Sequence, residues 1–554
     1  MKRHPASRAI RTAGGLLACA FAFACTPQPL PAPEAPSATP LPPVNTAAMD
    51  AHLKYLADDL LEGRAPATRG GELAARYIAA QFQAIGLAPA GADGSYYQPV
   101  TLIGMTPQPS FVWGAETATE SLRYLDDFVA WAGRADPHID VDGDVVFVGY
   151  GVRAPEWNWD DYKGMDVRGK VLLMLVNDPG LQDTTVFHGR GLTYYGRWTY
   201  KLEEAARRGA LGVVLIHTTR SATYPWEVVR GSWSVEQFTL DGPAGPQLAF
   251  ASWVTAAAAA RALKTAGWGL DSLTRAAARR DFAPVATRMR ASVTITGPIR
   301  RVRSANVVAK LAGSDPALTD QAVLVTAHYD HKGIGPATDG DSIYNGAEDN
   351  ASGVAAMLAA AQALAAVAPR PKRSVLFIAT TAEESGLLGS EAYVRAPIVP
   401  LARTAAVVNV DGANVRGLTS DIAALGADRS DLGDTFAAAA RAESLTATGD
   451  PDPAKGSFFR SDHFPFARAG VPSVSIESGV AFRGRAAAWG VEQARLFNEQ
   501  RYHQPTDAYN PRFSYDGMAQ QVRVMMRIVL TVANEPRLPR WLPNSEFQRS
   551  VVRP

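Results

Sequence analysis

The sequence predicts an α/β protein with a mixed, mostly parallel central sheet flanked by helices, interrupted by an inserted β-rich body. Three observations predict it. Between residues 321 and 411, short β-branched apolar runs alternate with a helix-forming stretch, and each run ends in acidic or imidazole side chains. Residues 49–86 read as two amphipathic helices. Residues 120–298 carry a separate group of strand-like runs between two parts of the first pattern.

Length and composition set the frame. The 554 residues are too many for one ordinary domain, and 47% hydrophobic content suffices for large cores. Fifty-five basic residues against 54 acidic ones give no electrostatic reason to expect nucleic acid. No apolar run downstream of residue 30 approaches the length that spans a bilayer.

In chain order, residues 1–25 read as an export signal: Lys2, Arg3, Arg8 and Arg11 precede the apolar run from Ala13 to Ala24, followed by Cys25. With the Pro/Ala-rich tether of residues 26–46, this pattern looks like a bacterial lipoprotein anchored at Cys25, and so predicts a place in the periplasm or envelope. Ordinary cleavage and soluble release is the alternative, and Cys19 is a second candidate for the lipid. Both cysteines lie here, so the mature body has no disulfide. Residues 47–119 are the first part of the main domain, where Leu73, Tyr77, Ile78, Phe82 and Ile85 share a helical face that Gly86 ends.

Residues 120–298 are the insert. Its strand-like runs are 144–149, 170–176 and 212–217, with a helix from Trp198 that Gly209 closes. Trp157, Trp159, Tyr194, Tyr195 and Trp198 are candidates for a cleft wall, although simple core packing explains them equally. Residues 299–540 are the second part of the main domain and 541–554 a C-terminal tail. In that second part, runs 321–327, 373–381 and 405–410 are strands and 354–364 a helix. His328, the pair Glu383–Glu384, and Asp411 stand at the strands' carboxyl ends, the edge where open α/β sheets bind ligands.

Those side chains, with Asp349 and His503, supply two imidazoles and several carboxylates, a donor set that divalent zinc accepts. Two such ions roughly 3.5–4 Å apart repel each other, and a shared carboxylate relieves the repulsion best. Asp349 is the expected bridge, with His328 and Asp411 completing one metal and Glu384 and His503 the other. Asp330 is expected to accept the second N–H of His328. Glu383, beside a ligand but free of the metals, is the expected general base. Asp462 and His463 are expected to shape the substrate cleft or the outer shell, His331 its wall. His52, His138, His188 and His217 have no carboxylate partners nearby in sequence and read as structural.

The segments Ala327-His-Tyr-Asp-His-Lys-Gly333 and Asp341-Ser-Ile-Tyr-Asn-Gly-Ala-Glu-Asp-Asn-Ala-Ser-Gly353 resemble the co-catalytic di-zinc aminopeptidase family, which includes leucyl aminopeptidases and glutamate carboxypeptidase. The likeness covers about residues 47–115 and 296–530. It implies a zinc-exopeptidase fold, two Zn2+ per chain, ligands His328, Asp349, Glu384, Asp411 and His503, and Glu383 as base. The insert resembles a protease-associated domain, which implies a wall that restricts substrate size. Peptides are the implied partners, and a membrane only through the lipid anchor. A carboxypeptidase, a glutaminyl cyclase and a non-catalytic receptor are the alternatives that share the resemblance. Family members often hold a tyrosine near the turn at 461–463; Phe458, Phe459 and Arg460 stand there instead, so no oxyanion residue is assigned.

Overall fold

The computed structural model describes residues 40–242, 245–543 and 545–548. The expected signal and most of the tether lie outside these residues. Leu41 and Val44 already pack against the core, and Thr46–Leu56 is helical, with the Asn45 side chain accepting from the Ala48 N–H. Among the described residues no helix is long and apolar enough to cross a membrane.

The main sheet runs, edge to edge, Gln237–Leu240, Tyr97–Met105, Ile299–Leu311, Ser374–Thr380, Ala322–His328, Thr404–Asn409, Ser473–Ser478, Asp421–Leu425 and Thr446–Thr448. The centre is parallel, the four strands from Ser374–Thr380 to Ser473–Ser478 running together, and so is the edge pair Asp421–Leu425 with Thr446–Thr448. Antiparallel pairs flank the four central strands on both sides, so the sheet is mixed, as expected. The central strands are buried along their lengths because helices cover both faces. Ser352–Ala365 is apolar on all sides and buried almost throughout, because Thr46–Leu56 and Asp516–Asn534 pack over it. Arg69–Ile85 turns inward a narrow face of Ala74, Ala75, Ile78, Ala79 and Phe82, while Leu73 and Tyr77 are only half-buried.

A second, eight-stranded sheet has its own cores. Its parallel centre is His138–Phe147, Val171–Leu175, Gly212–His217 and Phe250–Thr255. It begins at Gln108–Ala115, earlier than the expected residue 120, because that strand pairs with Val285–Thr296. One ribbon therefore passes between the sheets. Ile299 pairs with Met105 in the first sheet and Thr296 with Gln108 in the second. Gln237–Leu240, inside the expected insert, instead pairs with Tyr97–Met105 at the edge of the main sheet. Described residues of the expected tail are packed as well. Trp541 and Phe547 are buried with Phe458, Phe459 and Phe464, and Trp541 Nε1 donates to the Gly470 carbonyl at 2.9 Å.

Candidate metal centre

Each metal-type side chain is delivered by a strand end or by a loop tied to one. His328 closes Ala322–His328, Glu383 and Glu384 follow Ser374–Thr380, and Asp411 follows Thr404–Asn409. Asp349 lies on the loop before Ser352–Ala365. Gly346 makes that loop possible: its φ is +56°, and a Cβ there would lie 2.2 Å from the Asp349 carbonyl oxygen and 2.5 Å from His331 Cγ. Asp507 then fixes Asp349, because its carboxylate accepts the N–H groups of Glu348 and Asp349, each at 3.0 Å. Asn350 joins this loop to the next strand end, donating to the Val410 carbonyl and accepting from the Gly412 N–H. Below the loop, buried Arg64 donates to the carbonyls of Tyr329, Leu56, Asn345 and Gly346. Burial depresses this guanidinium to about 10, against the pull of Asp330 and Asp507. Neither Arg64 nor Asp507 was assigned a role from sequence, since their function lies in backbone contacts that residue type does not reveal.

The resulting geometry centres on Asp349. His328 Nε2 lies 3.3 Å from one of its carboxylate oxygens, and His503 Nε2 lies 3.4 Å from the other. His328 Nε2 is also 3.1 Å from Asp411 Oδ1, and His503 Nε2 is 3.0 Å from Glu384 Oε2. The five sequence-predicted ligands are thus brought together around one carboxylate. Two sets, His328–Asp349–Asp411 and His331–Asp349–Glu384, each offer donor atoms within 4.8 Å of one another. His331, expected only as cleft wall, therefore belongs to the cluster, with Nδ1 2.7 Å from Glu384 Oε1. Lys332 Nζ, 3.0 Å from Glu384 Oε2, places a cation beside the same carboxylate.

Three expectations are corrected. Asp330 does not hold His328 through its carboxylate, which is 3.9 Å from Nδ1; its backbone carbonyl, at 3.1 Å, does. The chain turns directly after His328, so the Asp330 side chain points to the neighbouring strand end and accepts from the N–H groups of Glu383 and Glu384. Asp462 does not face the cleft; it is buried and accepts from the Thr380 and Ser390 hydroxyls. His463 is buried edge-on against Phe458, ring centroids 4.8 Å apart, and burial with Arg429 nearby lowers it to about 3. Of the proposed wall residues, Trp198 lines the cleft, while Trp157 and Trp159 pack around Phe187 in the insert. Tyr194 packs on Phe459 and Phe464.

The electrostatics fit a cation centre. Burial raises Glu384, but His503, Lys332 and His331 outweigh it and hold its carboxyl well below the usual range. Glu383 has one counter-charge in reach, His328, and it does not outweigh burial. Burial first, then Glu384 and Asp411, push it well above the usual range despite His328 at 3.9 Å. A cleft of about 350 Å³ opens from Glu383, Glu384 and His503 toward Arg197, Tyr224, Arg460 and Tyr502. Tyr502 stacks on His503, centroids 3.8 Å apart, a cleft tyrosine that the sequence reading sought near residue 461 instead. A concentration of four carboxylates with imidazoles is costly unless paired or metal-bound, and nitrogen–oxygen donor sets of this kind suit zinc.

Residues 306–529 match the family model described as Peptidase family M28. The match takes in the segment that carries the site, and the chain is similar to that family there. Among curated relatives, "Leupeptin-inactivating enzyme 1" of Streptomyces exfoliatus is 28% identical over 211 residues, 37% of this chain and 43% of that protein. A "Probable zinc metalloprotease" of Pyrenophora teres f. teres is 36% identical over 111 residues, 20% and 23% of the two chains. The curated relatives it matches are thus covered over 10% to 43% of their length. The solved aminopeptidase from Aneurinibacillus sp. strain AM-1 shares the fold, with TM-score 0.50 and 20% identity over 89% of this chain and 95% of that one. The matched segment contains every predicted ligand, and its donors and that match together support zinc as the metal.

Proposed function

We propose that this chain is an exported zinc exopeptidase, an aminopeptidase that removes N-terminal residues from peptides with two metal ions and a glutamate base. The observation that carries the reading is Asp349, which offers one carboxylate oxygen to the His328–Asp411 side and the other to the His503–Glu384 side. Zinc bound there would polarise the scissile carbonyl and acidify the attacking water. Glu383 stands beside these residues with His328 at 3.9 Å; bound zinc would supply the positive charge that ionises it, and it then suits the group that takes the water's proton at its carboxylate and returns it to the leaving amine. Burial and the nearby acids raise the Tyr502 hydroxyl well above its usual value, so it stays protonated and can donate to the oxygen that becomes negative. Asp507, Arg64 and Asp330 hold the ligand-bearing loops. The insert, read as a protease-associated domain, bounds the cleft through Arg197, Trp198 and Tyr224. Export rests on the amino-terminal pattern alone, with Cys25 as the proposed lipid site.

The test is metal content together with turnover. The purified chain should hold close to two zinc equivalents, lose activity on chelation, and cleave aminoacyl amides in preference to N-blocked dipeptides. Asp349→Ala should lose zinc from both sides; full retention of both equivalents would sink the bridge.

A further inference from the structure

Away from the metal residues, the charges in the cleft are already matched, with two exceptions. Arg468 pairs with Glu203 at 2.8 Å and with Glu391 at 2.6 Å, and Arg395 pairs with Glu391. Lys332 is held by Glu384. Arg197 and Arg460 make no ion pair among the described residues. Arg197 is 8% exposed and stands at the start of helix Trp198–Arg207, and its buried Nε meets no hydrogen-bond partner. Arg460 donates Nη2 to the Thr223 hydroxyl at 3.0 Å and lies over the Tyr224 ring at 5.2 Å, and its Nε also lacks a partner. Burial, then the repulsion of Arg460, lowers Arg197 to about 9; the other groups acting on it are Tyr224, Tyr502 and Tyr194, none of them a carboxylate.

Two guanidiniums sharing one wall without an acid is an arrangement that folding alone disfavours. An anion entering the cleft relieves it, and the planar guanidinium fork matches a carboxylate with two parallel hydrogen bonds. Both arginines line the same cleft as Glu383, Glu384 and His503. We propose that Arg197 and Arg460 form an anion subsite that takes a carboxylate of the peptide substrate on the Glu383–Glu384 side of the metal residues. The proposal rests on the exopeptidase reading above and deepens it. The carboxylate is either the free C-terminus of a short peptide or an acidic side chain near the scissile bond. Arg197 comes from the insert and Arg460 from the M28 segment, so the subsite exists only where the two bodies meet.

The zinc-loaded full chain is assayed on leucyl-leucine, leucyl-leucine amide and leucyl-aspartate diamide. The wild type should favour at least one of the two anionic substrates over the neutral amide by about tenfold or more in kcat/KM, the size of a hydrogen bond to a charged group. Preference for leucyl-leucine assigns the terminal carboxylate, and preference for the aspartyl peptide assigns the side chain. In Arg197→Gln and Arg460→Gln, each checked for zinc content, that ratio should collapse toward one. Arg460 is half-buried, so its variant carries the test if Arg197→Gln does not fold. Equal rates on all three substrates, or ratios unchanged in both variants, overturn the subsite and leave the peptidase reading standing. Turnover of none of them overturns the peptidase reading and the subsite with it.

Discussion

The two sheets share a parallel centre and differ at its carboxyl edge. In the main sheet that edge gathers His328, Glu383, Glu384 and Asp411 around Asp349, with fewer cations than carboxylates. In the second sheet the corresponding ends are quiet. Asp178, after Val171–Leu175, is saturated by the Thr193 N–H and hydroxyl and the Gly180 N–H. His217, ending Gly212–His217, has its Nε2 3.0 Å from the Tyr224 carbonyl. The same architecture thus supports one edge whose charges need an external partner and one whose charges are internally satisfied. Function is legible in that surplus rather than in the fold.

The sharpest way to break the comparison is at Glu383. Glu383→Gln keeps the shape and removes proton acceptance, so kcat should fall by about 10²–10⁴-fold while zinc content stays constant. Glu384→Gln should instead lose metal; the reverse pattern would exchange the two roles. On the satisfied edge, Asp178→Ala should leave zinc content and kcat near wild type and lower stability by about 1–3 kcal/mol, since three donors lose their acceptor. A loss of zinc in that variant would show that the edges are not independent. The smallest effect concerns His463. Folded it titrates at about 3, unfolded near 6.5, so between those values the unfolded chain binds more protons. Its contribution is therefore intact above pH 6.5 and is lost as pH falls toward 3, by up to about 1.4 kcal/mol per pH unit. Thermal unfolding of His463→Leu should show a shallower acid slope than wild type; parallel slopes would remove His463 from the account.

What the sequence revealed and what it hid have a common cause. His328, Glu383, Glu384 and Asp411 were readable because each ends a β-branched apolar run, where a charged side chain has few structural uses. His331 was missed because it lies past the strand, where the sequence does not show that its ring meets Glu384. Asp330 was assigned the right neighbourhood and the wrong bond, since sequence spacing does not distinguish a carbonyl from a carboxylate. Asp462 and His463 sit beside a cleft-lining residue, Arg460, but the helix that begins there turns them inward. The boundary at 120 was late because Gln108–Ala115 reads as strand in either sheet, and only its pairing partner decides.

Gln237–Leu240 has a consequence for how this chain can change. A body inserted at one place can be excised or exchanged as a cassette. Here the chain leaves the main sheet after Met105, lends one strand back to that sheet's outer edge, and only then returns at Ile299. Cutting out the inserted residues would strip Tyr97–Met105 of a neighbour and bare a row of backbone donors and acceptors to other molecules. The two bodies are laced rather than hung, and a lineage carrying this chain cannot shed one of them in a single deletion without also repairing the other.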